Sequence, residues 1–520
     1  MGKNFTMNGD SLFVLIHSLS QNEKGYVKKS AFGSKQKIEN GYIKLFDAIA
    51  SQDEYDEAEI LKKLKGDSVC TYFSKNKNYL YHLILKKLTQ YHEENINEFK
   101  IKSISNQALI LFKKGLFKEA VTHYGKALKH ALDDEEYIVA LDVYNKILTI
   151  YLSGDMGTTF PYRIEMQEVS NKIKKETDFN SLYCSLIELM FIDKVGNKTL
   201  IEESVNTILS NTLINNVSST DSFKTQWYAL SILSLGNYLL NKHEKANEYR
   251  EKQGLLLSSN KKLAMKEPAR YVSHLANSIS NKMNIGELQE IPDLLAQLKE
   301  LDIDPNIEKR SDLTRFAIYH IQTITYYTKT GDFSSALKHL DEMIPWLEDN
   351  NGAISEYITL VAYDKIFFTY FGNKEYRKAL QWLNRINNSK SSFRQEFQFS
   401  SKFHLLMLHF ELKNNDLIES IVRNIYREML KSSLDLQAEK LILRWFQKNL
   451  KNIAPDTRLN REAFRDIKEK IQSMNSESHW KLIKNLHVFE VWLDSKITNK
   501  EIAELYKKSN ESIKMEMDKA

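Results

Sequence analysis

Helix-breaking residues are scarce in this chain, and that scarcity narrows the fold before any motif is read. Its 520 residues include 6 Pro and 17 Gly, far below the roughly 5% and 7% of an average protein. The first proline is Pro161, so everything before it can be a series of helices punctuated only by Gly, Asn and Asp. Long β-branched runs of period two, the mark of sheet, are missing. Cysteine is rarer still. Cys70 and Cys184 are too few for a disulfide framework or for most zinc sites, which fits a reducing compartment. Each is expected to sit as a small packed thiol rather than to act as a nucleophile.

Further absences exclude whole classes of function. No stretch reaches the ~20 apolar residues that span a bilayer. The run Leu12 to Ile16 is interrupted by His17 and lacks a small-residue cleavage site, so it reads as a helix face rather than a signal peptide. Met1 to Thr6 fit the loose myristoylation pattern only as a six-residue coincidence, and the expected location is cytoplasmic. A net charge of +5, from 73 basic and 68 acidic side chains, forces no partner. Walker, dinucleotide-glycine, His-Glu-x-x-His, Gly-x-Ser-x-Gly and Cys-x-x-Cys motifs are all lacking. His404 and His409 are five apart and His123 and His130 seven apart, whereas i, i+4 is the helical spacing that clamps a metal. The expectation is therefore no enzymatic activity, no cofactor and no metal.

What the chain does have is a helix-turn-helix signature at recurring spacing. It reads Gly115-x-Phe117-x-x-Ala120-x-x-x-Tyr124-x-x-Ala127, and again Gly331-x-Phe333-x-x-Ala336-x-x-x-Leu340-x-x-Met343. A small residue where two helices touch, an aromatic two places after the turn and a large apolar residue four places after the small one suit an antiparallel helix pair. One such pair cannot bury both faces alone, so pairs stack. The small packing residues fall near Ala120, Ala246, Ala336, Ala379 and Ser420. The gaps leave room for degenerate units of roughly 42 to 45 residues, at Ile201 to Leu209 after the Gly196-Asn197 turn and at Leu288 to Leu298 after Gly286.

At these residues the chain resembles the tetratricopeptide-repeat family over about 101–450, with a spacing longer than that family's usual repeat. The resemblance implies an all-α superhelix of TPR-like helix pairs, a solenoid with no activity of its own whose first helices line a surface that grips a protein or peptide. Carried over residue by residue, the inward positions are Lys113, Tyr228, Tyr238, Lys329, Asp364, Phe368, His409 and Lys413. Rings among isolated charges suit an extended peptide, since the rings supply contact area and the charges fix register. Taken singly, each ring also suits packing between repeats, and each lysine a solvated surface.

Residues 1–100 lack the repeat signature and read as a separate helical module. Helices are expected over Ser11 to Lys29, Gly41 to Ser51 and Asp56 to Leu64, then in an amphipathic stretch capped by Ser74. Ile60 to Tyr91 holds seven lysines against Asp67 alone. A short helix before a Lys- and Asn-rich one resembles a helix-turn-helix DNA reader, in which Lys75, Lys77, Asn78, Lys86 and Lys87 would contact phosphates and bases. The ten residues from Leu64 to Ser74 exceed that motif's turn, and Asp67 to Phe73 could be an extra turn, a short strand or a bent helix entry. A charge run is also commonly just a solvated face. Residues 451–520 are expected to start at the turn Ala454-Pro455-Asp456. Two amphipathic helices then cap the array, carrying Phe464, Ile467 and Ile471, then Leu482, Leu486, Phe489 and Leu493, with Trp480 and Trp492 as anchors.

Overall fold

A computed structural model describes residues 11–32, 37–93, 96–153, 159–191, 198–389, 395–431, 437–449, 458–474 and 486–507. Met1 to Thr6, the turns at Gly196-Asn197 and Ala454-Pro455-Asp456, Trp480 and Leu482 lie outside them. No strand occurs among the described residues, and the chain is all-α. Its contacts divide it into two units, Met1–Lys175 and Glu176–Ala520.

The first unit opens with α1 (Ser11–Ser18), α2 (Gln21–Phe32), α3 (Lys37–Ala50), α4 (Glu57–Lys63) and α5 (Phe73–Tyr91). The sequence predicts one helix over Ser11 to Lys29, and the structure breaks it into α1 and α2. Ser20 and Glu23 form a reciprocal capping box, in which the Glu23 N–H donates to Ser20 Oγ at 3.3 Å and the Ser20 N–H to Glu23 Oε2 at 2.7 Å. Satisfying both backbone donors restarts the helix there. Asp56 caps α4 through the Glu59 N–H, and Asp67 caps a single 3₁₀ turn, Ser68–Cys70, which settles the segment ahead of α5. α5 then starts two residues early, with Tyr72 at its cap position and no side-chain bond there, so Ser74 lies inside the first turn. Leu12, Ile16, Phe46, Ile60, Leu80 and Ile84 fill one core between these helices. In α6 (Asn97–Lys113), α7 (Phe117–Asp133) and α8 (Tyr137–Leu152), each helix lies on the next around Ala120, Tyr124, Ala127 and Tyr144. The unit boundary falls within α9 (Arg163–Phe191).

The second unit continues through α10 (Lys198–Leu209), α11 (Thr212–Asn215), α12 (Phe223–Leu239), α13 (His243–Ser259), α14 (Lys261–Ala264), α15 (Pro268–Ile285) and α16 (Ile291–Glu300). It goes on with α17 (Lys309–Lys329), α18 (Phe333–Asp349), α19 (Glu356–Gly372), α20 (Tyr376–Asn387), α21 (Gln395–Glu411), α22 (Asn415–Lys431) and α23 (Gln437–Asn449), and closes with α24 (Arg458–Met474) and α25 (Leu486–Thr498). Neighbours in sequence are neighbours in space, and α17 also touches α15 and α19, the three being the first helices of successive pairs. Instead of one core there is a succession of clusters, as stacked pairs require. Trp492, Phe489 and Phe464 join the last of these, beside Phe410 and Phe446.

One turn geometry recurs. Gly115, Glu135, Asn241, Gly286, Gly331, Lys374 and Lys413 all have left-handed backbone, with φ from 55° to 81°. Five residues after each stands a fully buried side chain: Ala120, Ala140, Ala246, Ile291, Ala336, Ala379 and Ile418. The bonds around the turn are those of the Schellman motif: at Lys374, for example, the Glu375 N–H reaches Tyr370 O at 2.9 Å and the Lys374 N–H reaches Phe371 O at 3.0 Å. The fifth unit corrects the sequence reading. Ser420 is exposed, and Ile418 takes the crossing position.

Candidate ligand-binding surface

The sequence-derived positions separate into three groups. Lys113 ends α6 and is exposed, and Lys413 is not on a first helix at all but in the left-handed turn after α21. His409 faces inward to the core: it is buried, and its Nδ1 lies 3.2 Å from Asn414 Nδ2, which ties that turn down.

Lys329, Asp364 and Phe368 do converge. Together with Thr325, Thr328, Lys365, Phe367, His404, Val488 and Tyr506 they line a cavity of about 60 Å³ on the first helices α17, α19 and α21. Lys329 Nζ donates to Met283 O at 3.3 Å, and burial, with Lys365 adding, lowers its pKa. Lys365 pairs with the buried Asp364 at 3.1 Å. His404 stacks on Phe367 at 5.1 Å, and burial holds its pKa down at about 4, so it is neutral. The site is not open. Tyr506 packs edge-on to Phe368 at 5.9 Å and against Phe333 at 6.2 Å, and Val488 and Tyr506 both come from the chain's own end. Further along, Lys374 pairs with Glu501 at 2.6 Å, while Trp492 Nε1 and Lys496 Nζ both reach Glu411, at 2.6 and 2.5 Å. Residues 486–507 thus lie on the first-helix face that the sequence assigns to a ligand.

Tyr228 and Tyr238 stand elsewhere on that face, on α12, and both are half-exposed. The Tyr228 ring lies 5.7 Å from Tyr183, carries the Arg270 guanidinium over its face at 5.3 Å, and its hydroxyl accepts from Arg270 Nη2 at 3.3 Å. Arg270 is held in turn by Glu267 at 2.7 Å. Tyr238 meets His243 edge-on at 5.2 Å. Between them the structure adds a residue that the sequence did not single out. Arg250 of α13 is 8% exposed; the Tyr238 hydroxyl acts on its charge, and that charge is felt by Tyr183 and His274. In sequence it sits in Glu248-Tyr249-Arg250-Glu251-Lys252, which reads as a solvated helix face, so no local signal marks it.

In the first unit, Lys75, Asn78 and Lys86 are exposed along one side of α5, and Lys87 is half-buried, bonded to Gln90. Lys77 is turned inward. Its ammonium pairs with Glu57 at 2.5 Å and donates to the Tyr55 hydroxyl at 2.7 Å, between the Tyr55 and Phe73 rings. Geometry therefore takes it out of the set that could touch DNA. Compared with family models, with curated proteins and with solved structures, the chain matches none. No helix among the described residues is long and apolar enough to cross a membrane.

Proposed function

We propose that this chain is a non-enzymatic, TPR-like scaffold that binds a protein or peptide on the first helices of its stacked pairs, in the cytoplasm. The observation that supports the reading most is that one stretch of this face already holds polypeptide. Residues 486–507 lie across α17, α19 and α21, with Tyr506 on Phe368 and Trp492 bonded to Glu411. The stretch around Tyr228 and Tyr238 offers the same chemistry, half-exposed rings beside cations, with no described segment of the chain's end bonded to them. Aromatic and arginine side chains are the groups that dominate peptide binding.

Selection from a random peptide library on the full-length protein tests this. A shared sequence motif should emerge, and the library should lose that motif when Tyr228→Ala replaces the wild type. Selection without any common motif would count against the scaffold.

The alternative, a DNA-binding regulator whose repeats sense a peptide, draws on the exposed Lys75, Asn78 and Lys86. It is the weaker reading because the Lys77 charge is neutralised by Glu57. Fluorescence anisotropy with random duplex DNA at two salt concentrations separates the two: a regulator binds at low salt and weakens steeply as salt rises, and unmeasurable binding at low salt eliminates it.

A further inference from the structure

Arg250 poses a problem that its own fold does not solve. A guanidinium keeps its proton under all ordinary conditions, and buried charges are normally paired. Lys282, on the next first helix, shows the normal arrangement: it is buried, with Glu251, Glu287 and Glu290 within 3.5 Å. Lys77 has Glu57. Arg250 is 8% exposed, yet among the described residues no carboxylate lies against it, and its Nε has no hydrogen-bond partner. Its neighbours do not compensate. Burial pushes the guanidinium down to about 10, and the only groups drawing it back are the hydroxyls of Tyr238 and Tyr183.

The surroundings are committed to other bonds. Gln253 Nε2 donates to Ser231 Oγ at 2.6 Å, which leaves Gln253 Oε1 to accept from His274 Nδ1 at 3.2 Å. Arg270, a second arginine of this region, is already engaged by Glu267 and Tyr228. One fork of donors is therefore unspent, next to the rings that the proposed function assigns to a ligand.

We propose that Arg250 is the seat for a carboxylate of the bound peptide, the guanidinium fork meeting the two oxygens while Tyr183, Tyr228 and Tyr238 contact the adjoining residues. The proposal rests on the peptide-binding reading and names what the peptide must present: an acidic group, either its own C-terminus or an Asp or Glu side chain. A planar fork matched to a carboxylate explains why arginine rather than lysine stands here.

The test is thermal unfolding of the full-length protein in acetate, in inorganic phosphate and in chloride at equal ionic strength, for the wild type, Arg250→Met and Arg250→Lys. Acetate should raise the wild-type midpoint by about 2–4 °C when it greatly exceeds its dissociation constant. Arg250→Met should melt no lower than the wild type in chloride and should not respond to acetate, because an unpaired charge has been replaced by an apolar side chain of similar length. Arg250→Lys should fold and respond weakly. A fall in the Arg250→Met midpoint with no acetate response in the wild type would make Arg250 a structural residue and overturn the proposal. A response to phosphate but not to acetate would overturn the choice of anion. A second arm uses the library-selected peptide, its C-terminal amide and its Asp→Asn or Glu→Gln versions. One of these should bind about tenfold more weakly to the wild type and no differently to Arg250→Met. Equal affinity of all versions for the wild type overturns the seat. An acetate response with no selectable peptide leaves the anion seat standing and removes the peptide reading.

Discussion

At the residue scale, two glycines with the same backbone should respond differently to the same substitution. Gly115 and Gly331 both have φ near +77°, where any Cβ is strained. Around Gly115 a Cβ meets nothing within 4 Å, whereas at Gly331 it would run into the Ala503 carbonyl oxygen. Gly115→Ala should therefore cost about 1 kcal/mol and Gly331→Ala about 2–4 kcal/mol, as read from denaturant unfolding. Equal losses would mean that residues near 503 do not lie against this turn. Buried histidines make the second prediction. His274, His320 and His404 are held neutral by burial at about 3, 4 and 4, with Arg250 adding at His274 and His339 and Lys299 adding at His320. Unfolded, each takes a proton near 6.5, so between about pH 6.5 and 4 the unfolded chain binds more protons. Stability is full above that window and drains as pH falls through it. Replacing His404 by Phe keeps a ring on Phe367 and should make the decline between pH 6.5 and 5 shallower by about 2 kcal/mol. An unchanged pH profile would show that His404 is not buried as a neutral ring.

At the element scale, the turns explain what the sequence disclosed and what it hid. All-α organisation was legible from scarce Gly and Pro, and the units at Ala120 and Ala336 were legible because Gly115 and Gly331 fill the left-handed position with the residue that suits it. Glu135, Asn241, Lys374 and Lys413 fill the same position, and neither glutamate nor lysine advertises it. From Asn241 to Lys413 the left-handed residues of the turns within helix pairs follow at 45, 45, 43 and 39 residues, with Gly352 lying between two pairs, a rhythm visible in the backbone and blurred in the side chains. Small size points to Ser420 as the fifth packing residue, but position in the turn outweighs size, and Ile418 fills the crossing. Lys413→Gly should accordingly stabilise the protein by about 0.5–1 kcal/mol, since glycine adopts this conformation without the Cβ penalty. No gain in midpoint would place strain elsewhere in the turn. Ile418→Ala should cost about 2–4 kcal/mol by leaving a void, and Ala336→Leu about 1–3 kcal/mol by overfilling one. Indifference to both substitutions in chemical denaturation would contradict the shared crossing geometry.

At the scale of the whole molecule, the candidate face was legible only in part. Helical period placed Tyr228, Tyr238, Lys329, Asp364 and Phe368 on first helices, and the structure groups them in two places on the second unit. Sequence periodicity could not disclose that residues 486–507 return to cover Phe368, because that contact joins positions more than a hundred residues apart. Nor could it show that Lys77 spends its charge on Glu57, or that Arg250 lacks such a partner. These are facts of tertiary approach rather than of local pattern. The most direct measurement of the central claim is an anisotropy titration of the library-selected peptide, labelled, against the wild type and a Tyr228→Ala/Tyr238→Ala double variant. Saturable wild-type binding that weakens about tenfold or more in the double variant, with its unfolding midpoint retained, is the predicted result. Equal affinity for both proteins would contradict it.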